Sequence, residues 1–126
     1  MLDNNIYEWI KVAYYDSDTV DILIREKGHS EIIIYHIHQA IEKFLKALMI
    51  KSNKKVERVH ALDRLLSELV NIYPSLNDIK NDILEINLYL PKLRYPYGDI
   101  IEFSETEKLY EKFNIIKKIL LKLLEG

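Results

Sequence analysis

His36, Gln39, Glu42, Lys43 and Lys46 recur at steps of three and four within an otherwise greasy segment, IYHIHQAIEKFLKALMI, from Ile34 to Ile50. On a helix that spacing gathers them on one face. The stripe supports two readings. As a binding surface, Lys43 and Lys46 donate to phosphate while Gln39 presents an amide that reads a base or a hydroxyl. As a solvated face, Glu42 and Lys46 stand four apart in the favourable order and pair for about 0.3–0.5 kcal/mol.

Two further stretches carry usable chemistry: RVHAL, Arg58 to Leu62, and LRYP, Leu93 to Pro96. His60 stands just before a predicted helix, where a histidine caps, packs on a neighbour or touches a ligand. Arg94 lies between Pro91 and Pro96, which stiffen its loop and suit a pre-positioned guanidinium for bidentate phosphate contact. Its structural alternative is an ion pair with Glu42, with Tyr95 packed on the core. Tyr95 and Tyr97 can also stack on a base, as aromatic side chains do on single strands. Lys54, Lys55 and Arg58 form a short basic loop, either a phosphate contact or a solvated turn.

Other chemistries find little support. Among the four histidines, His36 and His38 are two residues apart and point roughly 200° away from each other on a helix. No pair has the i, i+4 spacing of a zinc-binding helix, and no cysteine exists to complete a site. A mixed site drawn from His29 and His60 in predicted turns is the remaining metal possibility. No serine sits in a nucleophile elbow, and the three glycines are isolated, so no phosphate-binding glycine loop exists. Neither a metal nor a cofactor is expected.

These residues need a scaffold. The 126-residue chain is long enough for one domain with a sizeable core, 1–126, and its 48% apolar and 30% charged composition is that of a folded globular protein. Eighteen basic and twenty acidic residues leave a net charge of −2, so any nucleic-acid binding must come from a local patch. The start of the chain, with Asp3, Asn4, Asn5 and Glu8, lacks the basic, apolar pattern of a signal peptide, and no apolar run is long enough to span a bilayer. The expectation is a cytoplasmic protein without membrane contact.

With only three glycines and three prolines, long helices are expected. The first spans about Asn5 to Glu26, with Ile6, Ile10, Ala13, Ser17, Val20 and Ile24 on one face, and Gly28 supplies a left-handed cap. The second spans Ser30, as N-cap, to about Lys51, and its wide apolar arc suits a central helix. The third covers about Ala61 to Asn71. The fourth runs from Leu76, capped by Ser75, to about Leu90, and PKLRYPYGD between the prolines is irregular. The last helix starts at a capping box of Ser104 and Glu107, with Phe103 as the staple. Its surplus apolar residues, Ile115, Ile119, Leu121 and Leu124, are either core or a subunit interface. An all-α fold follows: an up-and-down, antiparallel bundle of four to five helices.

At this point the sequence resembles a HEPN domain, a helical module often found beside nucleotidyltransferases in prokaryotes. WIKVAYYD (Trp9 to Asp16) is similar to the family's first-helix pattern of an aromatic, an alanine and an aspartate. HQAIEKFLKALMI (His38 to Ile50) resembles its central Q-A-x-E-K-x-x-K-A motif, and VHALDRLLSEL (Val59 to Leu69) its following H-x-L segment. RYP (Arg94 to Pro96) is similar to its late arginine-containing motif. The resemblance implies an antiparallel bundle of four or five helices, usually a homodimer, and an association with nucleotides or RNA. It also implies a possible toxin–antitoxin pairing with a small nucleotidyltransferase. Its ribonuclease members carry an arginine followed four to six residues later by a histidine. Here no histidine follows Arg94, and Asp99, Ile100 and Ile101 fill the window. The resemblance therefore points to a non-catalytic or weakly catalytic binding module. One alternative is a protein-interaction partner of a separately encoded nucleotidyltransferase. A second is a ribonuclease that uses another base, such as His60.

Overall fold

The computed structural model describes residues 4–55, 62–93 and 100–126. His60, Arg94, Tyr95, Arg58 and Tyr97 lie outside the described residues. Among those described there is no strand. The elements are α1 (Asn4–Arg25), α2 (Ser30–Lys51), α3 (Leu62–Leu69), a 3₁₀ turn (Pro74–Asp78), α4 (Lys80–Asn87), a single helical turn α5 (Leu90–Leu93), and α6 (Phe103–Glu125).

The order of side-chain contacts gives the topology. Asp16 meets His36 and Trp9 meets Lys46, so α1 and α2 run antiparallel. Ser30 meets Thr106 at one end and Lys51 meets the Leu123 and Leu124 carbonyls at the other, so α6 runs parallel to α2. Lys112 pairs with Glu85 while Tyr89, just past α4, bonds Glu105 one turn and more earlier on α6, so α4 runs antiparallel to α6. This alternation is the expected up-and-down bundle.

α2 is central because its apolar arc is wide. Ile33, Ile34, Ile37, Ala40, Ile41, Phe44, Leu45 and Leu48 are all buried, and they meet α1, α3, α4 and α6. From α1, Ile6, Ala13, Ser17 and Val20 face inward, and from α6, Leu109, Phe113, Ile116 and Leu120 do so. The surplus apolar residues of α6 divide: Ile119, Leu121 and Leu124 pack partly against the core, while Ile115 stays exposed. Other exposed apolar side chains stand on α1 and α2, among them Tyr15, Ile22, Ile32 and Tyr35.

The helix ends depart from sequence expectation. The α1 exit is a Schellman turn in which Gly28 N–H reaches the Leu23 carbonyl at 2.7 Å and Lys27 N–H reaches Ile24 at 3.2 Å. The left-handed residue is Lys27 (φ 53°), not Gly28. Gly28 answers a different need, since a Cβ there would lie 3.0 Å from Leu23 Cδ2. Asn53 (φ 62°) closes α2 in the same way, as Ser52-Asn53 suggested.

Ser30 is not the cap of α2. His29 holds that place without a side-chain bond, and the Ser30 hydroxyl accepts from Thr106 at 2.7 Å instead. The Ser104–Glu107 capping box is likewise absent: Glu102 is the N-cap and Phe103 is already helical. The starts lie one and two residues before the expected caps; at Ser30 the competing contact with Thr106 is the reason, which a local motif does not register. The fourth helix is shorter than expected, because Pro74–Asp78 winds as a 3₁₀ turn and α4 begins after Ile79. Pro91 lies inside α5, in a first turn where its missing N–H costs nothing.

Candidate functional site

The polar stripe of α2 faces α1. Because the two helices lie antiparallel, residues seven apart on each meet in succession along one seam. Trp9 and Asp16 come from α1, and His36, Gln39, Lys43 and Lys46 from α2. The seam borders the apolar core, where Phe44 meets the edge of Tyr14 at a centroid distance of 5.6 Å.

At its outer part Asp16, only 7% exposed, is the hub. Its Oδ1 accepts from His36 Nδ1 at 2.7 Å, and its Oδ2 accepts from Lys43 Nζ at 2.6 Å. Both bonds are short and charge-assisted, and they tie α1 to α2 twenty and twenty-seven residues further along the chain. With Nδ1 donating, His36 Nε2 is the nitrogen left for another partner, and it has none among the described residues. The His36 and Lys43 side chains are 26% and 24% exposed, so a ligand can reach them from solvent. Tyr35 stands edge-on to the His36 ring at 5.3 Å. Gln39 is half-buried between them in sequence.

Deeper in the seam the environment changes. Lys46 and Glu42 are 4% and 2% exposed at their side chains and pair at 3.5 Å. The Lys46 ammonium also sits 5.0 Å from the centre of the Trp9 ring, a cation–π contact strengthened by loss of water. The solvated-face reading of Glu42 and Lys46 is therefore corrected: the i, i+4 pair exists, but inside the protein. Lys46 is committed to Glu42 and Trp9, which leaves Lys43 as the ammonium of the stripe at the surface.

Of the sequence-designated residues, Gln39, Lys43 and Lys46 come together on this seam. His60, Arg94 and Tyr95 lie outside the described residues. Asp16 and Trp9 are the participants the stripe alone did not reveal. In the sequence both stand only in the first-helix pattern, WIKVAYYD, with nothing to show that they face the stripe. His38, adjacent in sequence to the stripe, turns to the other side and donates from Nε2 to Asn87 Oδ1 at 3.0 Å, a part-buried bond between α2 and α4.

A separate open cleft of about 580 Å³ lies between α4 and α6. Glu85, Glu102, Glu105 and Glu111 outnumber Lys108 and Lys112 on its walls, and Lys112 is already paired with Glu85. Such a lining disfavours phosphate. Tyr89 in its wall is pushed up to about 12, by burial first and then by its hydrogen bond to the Glu105 carboxylate. Among the described residues no group of three or more His, Cys, Asp or Glu could hold a metal ion. No helix among them is long and apolar enough to cross a membrane.

Comparison with known proteins adds one finding. The family model described as the HEPN domain matches residues 6–124, nearly the whole chain and the whole of the α1–α2 seam. No curated protein and no solved structure matches.

Proposed function

The chain belongs to the HEPN domain family, and on that premise we propose that it is a binding module for a nucleotide or RNA, acting at the α1–α2 seam. The observation that carries this reading is the half-buried set of His36, Gln39 and Lys43 on the central helix. Charged groups at such a place are poor stabilisers, since apolar side chains of similar volume hold helices together as well or better. A binding role accounts for keeping them. Lys43 offers an ammonium to phosphate and Gln39 an amide to a base edge or ribose hydroxyl. The exposed ring of Tyr35, beside His36, offers a face for stacking. With no histidine after Arg94, the module lacks the family's usual proton-handling group and acts chiefly by binding, as a homodimer in the cytoplasm of a prokaryote.

The test is a titration of ATP and of a short single-stranded RNA into wild type and Lys43→Ala at two salt concentrations. Trp9 is the only tryptophan and borders the seam, so its fluorescence reports binding there. Affinity that falls with both salt and the substitution is expected. Affinity indifferent to Lys43 sinks the reading.

A second reading is favoured by a different observation, the exposed Tyr15, Ile22, Ile32 and Tyr35 on α1 and α2. In this reading the same helices dock a separately encoded nucleotidyltransferase, as in a toxin–antitoxin pair. Co-expression with the product of an adjacent nucleotidyltransferase frame discriminates the two, because failure to co-purify removes the second reading and leaves the first untouched.

A further inference from the structure

The arrangement around Asp16 has the form of an occupied anion site. One imidazole N–H and one ammonium converge on a single oxyanion group, at 2.7 and 2.6 Å, one on each oxygen. A phosphate approaching His36 and Lys43 meets donors that a carboxylate already holds, and it meets that negative charge at contact range. The deeper pair adds nothing, since Glu42 cancels Lys46. Two carboxylates therefore face two ammonium groups along the seam, and the stripe carries no excess positive charge from its lysines.

We propose that Asp16 is a built-in counter-anion of this site. It takes the donors a ligand phosphate would use, weakens the binding of polyanions, and so selects for ligands with little charge and more base or sugar to contact. This inference rests on the seam being the nucleotide or RNA site. It differs from a purely structural role in one respect. A residue that only braces α1 against α2 leaves affinity unchanged or lower when altered, whereas a counter-anion leaves it higher when its charge is removed.

Asp16→Asn keeps an acceptor for His36 and removes the charge. Asp18→Asn, on the exposed side of the same helix, makes the same change in net charge away from the seam. Both variants, Lys43→Ala, and the double variant Asp16→Asn/Lys43→Ala are titrated with ATP and with a short single-stranded RNA, using Trp9 fluorescence and anisotropy of the labelled RNA. At low salt Asp16→Asn should bind roughly five- to tenfold more tightly than wild type, the gain being larger for ATP with its clustered charge. Asp18→Asn should match wild type, and the double variant should lose the gain. Asp16→Ser is a second uncharged variant for which the same gain is expected, with circular dichroism verifying the fold of each. Asp16→Asn no tighter than Asp18→Asn, while Lys43→Ala weakens binding, overturns the inference and spares the site. Binding indifferent to Lys43→Ala overturns both. Loss of fold in both Asp16 variants makes the residue a structural brace and also overturns it.

Discussion

Lys43 Nζ lies 2.6 Å from Asp16 Oδ2, and His36 Nδ1 lies 2.7 Å from the other oxygen of the same carboxylate. One side chain of α1 thereby satisfies two of α2, and the two substitutions that break the arrangement differ in consequence. Asp16→Ala strands an ammonium and an imidazole N–H together, while Lys43→Ala leaves the carboxylate its bond from His36. Chemical denaturation should show Asp16→Ala destabilising by about 2 kcal/mol and Lys43→Ala by about 1 kcal/mol. Asp18→Ala, exposed, should fall within roughly 0.5 kcal/mol of wild type. Equal effects at Asp16 and Asp18 would show that the seam contributes nothing to stability.

Phe44 is fully buried at the centre of α2 and abuts the Tyr14 ring edge-on. Removing it leaves a cavity among side chains of α1 and α2 that cannot close without moving the helices. Phe44→Ala should cost about 3–5 kcal/mol in equilibrium unfolding. Ile115→Ala, on the exposed side of α6, should cost no more than about 0.5 kcal/mol.

Lys27 holds a left-handed backbone, φ 53°, that a Cβ makes unfavourable. Lys27→Gly relieves that strain but increases the freedom of the unfolded chain and removes a cation from the negative end of α1. The balance should favour glycine by roughly 0.5 kcal/mol, read as a rise in the thermal midpoint. Gly28→Ala should move the midpoint the other way, because its Cβ crowds Leu23.

Tyr89 sets an alkaline limit. Burial, and then the Glu105 carboxylate, keep its phenol neutral, raising it from 10.0 to about 12 in the folded protein. A raised folded value means that the contribution to stability is complete below about pH 10 and is lost as pH climbs through about 12. Burial raises Tyr73 and Tyr110 as well, so phenolate absorbance should show a late-titrating component that Tyr89→Phe diminishes at its alkaline end. The same variant should unfold less steeply across that interval, and an unchanged alkaline profile would count against the neutral, half-buried phenol.

How much of this was legible beforehand differs by level. Apolar spacing alone determined the helices, the central position of α2, and most of the core, because burial of one face follows from periodicity and each helix can be read by itself. The spacing of His36, Gln39, Lys43 and Lys46 likewise determined that they share a face. What lies opposite that face was not legible. Only the packing of α1 against α2 decided that Asp16 would neutralise Lys43 at the surface, and that the Glu42–Lys46 pair, legible from its spacing, would be buried with Trp9 against it. The same holds for the helix starts, where contact with α6 took Ser30 away from capping and gave its hydroxyl to Thr106. Sequence spacing governs neighbours along a helix. Charge balance and solvent access depend on distance through space, and those distances exist only once the helices have packed.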